Sequence, residues 1–332
     1  VAIPVLYGSD VNASVLSDKT VAVFGYGNQG HAHALNLRDA GVTVIVGQRA
    51  GKNADRAKAD GFEVLPLADA TRRADLVILS LPDELMGDIF AQDIGPHLKK
   101  GAALGFVHGF AVRFGLIPCP ANVDVVLVAP KGPGALLRSR KVSGGGLTCL
   151  VAVEQDATGQ ARDIALAWAS AIGGDVGGMM ETTFADECES DLFGEQTVLC
   201  GGVIELMKTG FDVLVEAGIP PELAYFEAVH EVKQVVDLQY AEGLAAMRAK
   251  ISNTASYGGL TRGPRLIDES VKARMREMLK EIRDGRFAQE WVADARAGLK
   301  KLRELEQHEA DSPTAKAGGR VIEVTKKAAE QG

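Results

Sequence analysis

At 332 residues, 46% of them hydrophobic and 24% charged, the chain has enough apolar mass for a large core, and its length favours two domains over one. A formal net charge of −8 argues against a protein that coats nucleic acid, since that task needs a basic surface to neutralise phosphates. No run approaches the ~18 apolar residues of a membrane span, and the start lacks the order of a signal peptide. The four cysteines, Cys119, Cys149, Cys188 and Cys200, form no CxxC pair and no zinc-like spacing with histidine. The expectation is a cytoplasmic protein with no membrane and no nucleic-acid partner.

Short β-branched runs recur through the first half: VAVF at 21–24, VTVIV at 42–46, DLVILSL at 75–81, AALGF at 102–106 and VDVVLVAP at 123–130. Helix-length stretches lie between them. Near-continuous apolar strands alternating with helices predict a doubly wound parallel sheet covered on both faces, an α/β fold of Rossmann type. Further strands are expected at 147–153 and 175–180. After Phe184 the chain turns to Ala, Glu, Leu, Lys and Met at helical spacing, which predicts an all-α second domain. The boundary is placed so that residues 1–183 form the first domain and 184–332 the second. The tail from Glu309, with Asp311, Ser312, Pro313 and Gly318–Gly319, reads as a loop before a last short helix. No internal repeat is visible.

GYGNQG at 25–30 follows an apolar strand and opens a helix, which is the context a G-x-G-x-x-G turn needs to bind a dinucleotide. Gly25 permits the tight turn, Gly27 lets the backbone approach the pyrophosphate, and Gly30 allows close helix–sheet packing. The second strand ends at Gly47, followed by Gln48 and Arg49 where an NAD-binding protein usually carries an acid for the ribose. His31 and His33 read as packing or surface residues.

Two later segments carry acids four residues apart, Asp191 and Glu195 in DLFGEQ and Glu227 and Glu231 in FEAVHE. Positions i and i+4 share a helix face. Such a pair alone is usually a solvated surface, but here large apolar residues are interleaved, so the acids are expected to be partly buried. Buried carboxylates must be paired or bound to metal, and hard oxygen donors suit magnesium. Four converging acids suggest two ions.

The segments GYGNQGHAHALNLRDAG, LSLPDELMGDIF, HGF, APKGPG, ETTFADECESDLFGEQTVLCGG, AYFEAVHEVKQVVDLQY and ISNTASYG together resemble the ketol-acid reductoisomerases of branched-chain amino-acid biosynthesis, in their short single-knot form. The resemblance spans nearly the whole chain and implies a knotted helical domain. It implies two Mg²⁺ held by Asp191 and Glu195 from one subunit and Glu227 and Glu231 from another, in a homodimer with shared sites that can assemble further. Ser252 would hold the substrate, with helix capping as its alternative role. His108, Lys131 and Glu195 are the implied catalytic residues. Lys131 could instead be a structural cation, and His108 a packed loop residue. The implied dinucleotide contacts are Gly25, Tyr26, Gly27, Gln29, Gly30, Arg49, Lys52, Asn53, Pro82 and Asp83.

The implied reaction starts from 2-acetolactate or 2-aceto-2-hydroxybutyrate. The hydroxyl proton is lost as an alkyl group migrates to the neighbouring carbonyl carbon, and magnesium stabilises the charge that moves between the two oxygens. Hydride from the nicotinamide then reduces the new ketone, with Glu195 or a metal-bound water supplying the proton. The chain departs from the family in two places. The loop GQRAGKNADRAKADG is one residue shorter than the common form and lacks its hydroxyls, and Ser256 replaces an acid. Arg49 and Lys52 favour NADPH through its 2′-phosphate, while Asn53 could bond a ribose hydroxyl and Asp55 repel a phosphate, so NADH is expected to remain usable. The competing readings are a metal-free dehydrogenase of the 3-hydroxyacid type and a catalytically silent dinucleotide sensor.

Overall fold

Chain contacts divide the protein into two units, Val1–Ser190 and Asp191–Gly332. The fold is that of a computed structural model describing residues 3–330, with side chains through 325.

The first unit is built on nine strands, β1 (Val5–Leu6), β2 (Thr20–Phe24), β3 (Thr43–Gly47), β4 (Glu63–Leu65), β5 (Leu76–Leu79), β6 (Ala103–Phe106), β7 (Asp124–Pro130), β8 (Cys149–Gln155) and β9 (Met179–Glu181). Their order across the sheet is β1-β9-β8-β7-β6-β5-β2-β3-β4. The strands β2 to β7 pair with one another in parallel, and their spatial order is the one shared by doubly wound dinucleotide-binding sheets. Residues alternate between the two covered faces. In β2, Val21 and Val23 enter one buried cluster while Ala22 and Phe24 enter the other. Behind the first face, Trp168 Nε1 donates to His33 Nδ1 at 3.1 Å. His33 is fully buried, and desolvation pulls its imidazole down to about 3, so the ring stays neutral.

One side of this sheet is not parallel. The strand β8 runs antiparallel to β7, β9 follows β8 in parallel, and β1 closes the edge antiparallel to β9. An apolar run reports burial on both faces and carries no information on strand direction. The strand expected at 175–180 is instead a helical turn at Asp175–Gly177 followed by β9. The short strands β1 and β4, with half-exposed burial patterns, escape periodicity altogether.

Among its described residues the second unit is entirely helical, with helices Gly202–Glu216, Pro221–Tyr225, Val232–Arg248, Asn253–Leu266, Glu269–Arg283, Arg286–Arg296, Lys300–Ala310 and Pro313–Glu330. A buried cluster joins Phe211, Ala224 and Ala317, with Leu214, Ile219 and Tyr225 packed around it. Many large apolar side chains of this unit are exposed, including Leu199, Tyr240, Leu244, Tyr257 and Leu260. The tail departs from the expected loop. Pro313 occupies the first helical position, Ser312 Oγ accepts from Ala315 N–H at 3.1 Å, and the helix then runs on through both glycines. Gly318 is there for proximity, since a Cβ on it would lie 2.6 Å from Cε2 of Tyr225. No described helix is long and apolar enough to cross a membrane.

Candidate active site

The turn after β2 meets the end of β5, where the sheet order reverses and ligands of such folds bind. Gly25 has φ +87, and a Cβ on it would sit 2.2 Å from the Ser80 carbonyl oxygen. Gly30 passes so close to the turn that a Cβ would lie 1.8 Å from the Gly25 oxygen, while Gly27 has nothing within 4 Å and leaves its side of the turn open. The helix Asn28–Asp39 begins here, presenting unpaired N–H groups to that open side. The turn is braced from behind. Tyr26 N–H donates to Gln48 Oε1 at 3.1 Å, and its buried phenol donates to Asp60 Oδ2 at 2.8 Å. The Tyr26 side chain is therefore a core residue and presents no ring to a ligand. Gln29 Nε2 donates to the Gly132 carbonyl at 3.0 Å.

The remaining expected dinucleotide residues surround this opening in the chain's topology. Pro82 and Asp83 open the helix Asp83–Ile89 directly after β5. Arg49, Lys52 and Asn53 are exposed after β3, the last two starting the helix Lys52–Ala59. Arg49 Nη2 lies 3.5 Å from Asp93 Oδ2, an ion pair absent from the sequence reading.

A second cluster forms beyond β6 and β7. His108 follows β6, Lys131 follows β7, and both meet Glu187 on the helix Phe184–Gly194. The Glu187 side chain is only 1% exposed, with Oε2 at 3.1 Å from His108 Nδ1 and Oε1 at 3.2 Å from Lys131 Nζ. Gly109 N–H also donates to it at 2.8 Å. Burial alone would lower the His108 pKa. Its contacts with Cys188 and Glu187, and the charges of Glu187 and Asp83, outweigh that and hold it at about 11. Burial likewise works to raise Glu187, but His108, Lys131 and the Gly109 amide leave its carboxyl below the ordinary range. Sequence reasoning missed Glu187. The signal was present, because Glu187, Asp191 and Glu195 continue the four-residue spacing one turn further back.

The four expected metal ligands sit differently from the simple α-helical picture. Glu195 begins a wide π-type turn, Glu195–Leu199, in which Cys200 N–H reaches back to the Glu195 carbonyl at 2.9 Å. Glu227 lies within a second such turn, Phe226–His230, closed by Glu231 N–H donating to the Phe226 carbonyl at 3.0 Å. Turns of this kind recur at functional sites. Asp191 is half-buried, but Glu195, Glu227 and Glu231 are exposed, which corrects the expectation of burial. Leu192 turns inward at 7% exposure, Phe193, Tyr225, Phe226 and Val229 are half-buried, and three of the four acids turn outward. Among the described residues of one chain the four acids do not gather into a single group of ligand atoms. Ser252 caps the helix Asn253–Leu266, its Oγ accepting from Ala255 N–H at 3.1 Å, and it is exposed.

A doubly wound sheet with a glycine turn at its switch point, followed by a helical unit bearing paired acids, defines a dinucleotide-dependent oxidoreductase. Family models describe the same two parts. Residues 15–178 match the acetohydroxy acid isomeroreductase NADPH-binding domain, and residues 184–327 match the ketol-acid reductoisomerase C-terminal domain. The chain is 44% identical to an NADH-preferring ketol-acid reductoisomerase from an uncultured archean, with a TM-score of 0.94 over 97% of this chain and 99% of that one. Two more distant structures share the fold. A semialdehyde dehydrogenase NAD-binding protein from Cupriavidus necator is 22% identical, with a TM-score of 0.61 over 80% of this chain and 99% of that one. A pyrroline-5-carboxylate reductase from Coxiella burnetii is 13% identical, with a TM-score of 0.52 over 80% of this chain and 98% of that one. The chain belongs to the ketol-acid reductoisomerase family. It is an NAD(P)H-dependent enzyme that joins an isomerisation to a reduction.

Proposed function

We propose that the chain acts on 2-acetolactate or 2-aceto-2-hydroxybutyrate, with two magnesium ions, in cytoplasmic synthesis of valine, isoleucine and leucine. The observation that carries this reading is the Glu187 hub, which places a cation and an imidazole against the helix that runs on to Asp191 and Glu195. The donor set of Asp191, Glu195, Glu227 and Glu231 fits magnesium, being all hard carboxylate oxygen with at least one exposed side per residue for retained water. Magnesium, when bound, supplies Lewis-acid stabilisation of the charge passing between the two substrate oxygens, and the dinucleotide, when bound, supplies the hydride.

The chain's own groups do the rest. Glu187 holds the Lys131 ammonium in place and keeps the His108 imidazolium protonated, so that both can donate toward substrate oxygen without moving. The exposed Glu195 carboxylate, or water beside it, would relay a proton from solvent to the new hydroxyl. Ser252, beyond its capping bond, offers its hydroxyl to the substrate carboxylate. The exposed acids and apolar side chains of the helical unit support a homodimer in which each site takes Glu227 and Glu231 from the other subunit. Further assembly and the knotted chain path rest on the family resemblance.

Dinucleotide choice follows from the loop after β3. The archaeal relative prefers NADH, whereas this loop offers Arg49 to a 2′-phosphate while Asp93 already holds it. A modest NADPH preference with NADH still used is the outcome proposed. The test is to follow dinucleotide oxidation with 2-acetolactate, with and without magnesium, in the wild type and in Asp191→Asn. Magnesium-dependent turnover that Asp191→Asn abolishes, with dinucleotide affinity retained, supports the reading. Turnover indifferent to magnesium would return the chain to the metal-free dehydrogenase alternative.

A further inference from the structure

The turn that opens toward the dinucleotide and the loop that carries Lys131 are joined at three points, all made by two adjacent residues. Gln29 Nε2 donates to the Gly132 carbonyl at 3.0 Å. Asn28 Oδ1 accepts from Ala135 N–H at 3.2 Å. Gly134 lies so close that a Cβ on it would be 2.0 Å from the Asn28 carbonyl oxygen. The carbonyl that Gln29 holds belongs to the residue immediately after Lys131. On the other side of that residue, Lys131 N–H donates to the Thr148 carbonyl at 2.8 Å, and its ammonium reaches Glu187 at 3.2 Å. Any shift of the Gly132 peptide therefore re-aims the Lys131 side chain.

Gln29 also has a second, unused end. Its Oε1 is buried with no hydrogen-bond partner among the described residues. A buried acceptor without a donor is costly, so the amide gains when a donor arrives. A dinucleotide seated on the Gly25–Gly30 turn brings hydroxyl and amide donors to this neighbourhood, and the amide's two ends are rigidly linked.

We infer that Gln29 is a positioning residue that ties the dinucleotide turn to the Lys131 loop, so that filling the turn fixes Lys131 against Glu187 before substrate arrives. The inference rests on the dinucleotide reading of the Gly25–Gly30 turn and adds a coupling to it. Occupancy of the nucleotide site and readiness of the Lys131 ammonium become one event, with positive cooperativity between dinucleotide and substrate.

Amide hydrogen exchange of the full chain, read by mass spectrometry, tests it without turnover. The probe is 2′-phospho-ADP-ribose, which lacks the nicotinamide ring and so has no ring to cover Lys131. In the wild type, the probe is expected to slow exchange in segment 25–30 and also in segment 131–142, the latter by about fivefold, the population change that one hydrogen bond sustains. In Gln29→Met, protection of 25–30 should remain while protection of 131–142 is lost. In steady state the same variant should lose more in kcat than it gains in KM for the dinucleotide, a split that a general loss of packing would not give. Protection of 25–30 without 131–142 in the wild type overturns the coupling, as does protection of 131–142 that survives in Gln29→Met. Failure of the probe to protect 25–30 overturns the dinucleotide reading itself. The wild-type arm decides the matter even if the variant does not fold.

Discussion

Replacing Glu187 by glutamine is expected to lower stability in a manner that depends on pH. The carboxylate is 1% exposed and has three partners, Gly109 N–H at 2.8 Å, His108 Nδ1 at 3.1 Å and Lys131 Nζ at 3.2 Å. Glutamine keeps one acceptor for Gly109 but turns an NH₂ toward two cations. Each charge-assisted bond is worth about 1.5–3 kcal/mol, and breaking a buried pair costs more than its net worth because one charge is stranded. Lys131 is a third exposed, so solvent screens its share to ~1 kcal/mol or less. The loss is therefore mainly that of His108, ~3 kcal/mol in all, or a fall in Tm of about 4 °C for a chain of 332 residues. The sign of the pH effect follows from the two shifts. His108 is raised above its ordinary 6.5, so its contribution is complete below that value and fades as pH climbs toward about 11. Glu187 is lowered, so its contribution is present above the ordinary 4.5 and fades as pH falls through the folded value. The gap between wild type and variant should be widest between 4.5 and 6.5 and shrink on the alkaline side. Scanning calorimetry on protein free of metal and dinucleotide measures it. A fall in Tm under ~2 °C, or one that is flat with pH, would refute the assignment of Glu187 as the electrostatic centre of the cluster.

Asp93→Asn should release Arg49 and improve NADPH binding about two- to fivefold, the reach of an exposed ion pair, with NADH unchanged, while Arg49→Ala should weaken NADPH by about tenfold; calorimetric titration with both dinucleotides reads each effect, and equal changes for the two would remove Arg49 from the 2′-phosphate. Co-expressed Asp191→Asn and Glu227→Gln subunits, each inactive alone, should regain part of the activity in mixed oligomers; verified mixed species with none would count against a shared site. Gly318→Ala should cost about 1–3 kcal/mol by driving a methyl into the Tyr225 ring, whereas Gly319→Ala, with nothing within 4 Å, should be neutral or stabilising; chemical denaturation compares the two, and equal effects would deny the close approach its role.

The parts of this fold legible in the sequence are those where one physical demand acts on consecutive residues. Burial on both faces made β2, β5 and β7 plain, and the steric demand at Gly25 and Gly30 made the dinucleotide turn plain. What escaped depends on long-range partners. The direction of β8 is set by its neighbour β7, and the helix through Gly318 is set by a ring 93 positions earlier in the chain, at Tyr225. Tyr26 looked like a ligand contact because it sits inside the glycine motif, yet its phenol belongs to Asp60. Glu187 was hidden for the opposite reason. It resembled one more acid on a helix, and only the topology that brings the ends of β6 and β7 to that helix reveals it as a hub. The four-residue spacing singles out Asp191/Glu195 and Glu227/Glu231, but the wide turns that carry Glu195 and Glu227 leave no mark in composition.

Those wide turns make chain length, as distinct from side-chain chemistry, a constraint on the helical unit. A π turn holds one residue more than the α turn it replaces, so deleting any single residue within Glu195–Leu199 or Phe226–His230 lets the helix close in ordinary register. Positions downstream then keep nearly their facing, because the wide turn had absorbed the extra residue, and only the residues within the turn are re-spaced. Leu192 and the helix beyond each turn would stay where they are while the spacing of the side chains inside the turn changes. A substitution scan across these two segments would probe the acids one at a time. A single-residue deletion between Glu227 and Glu231 would leave every carboxylate in the sequence and still change the angle between that pair.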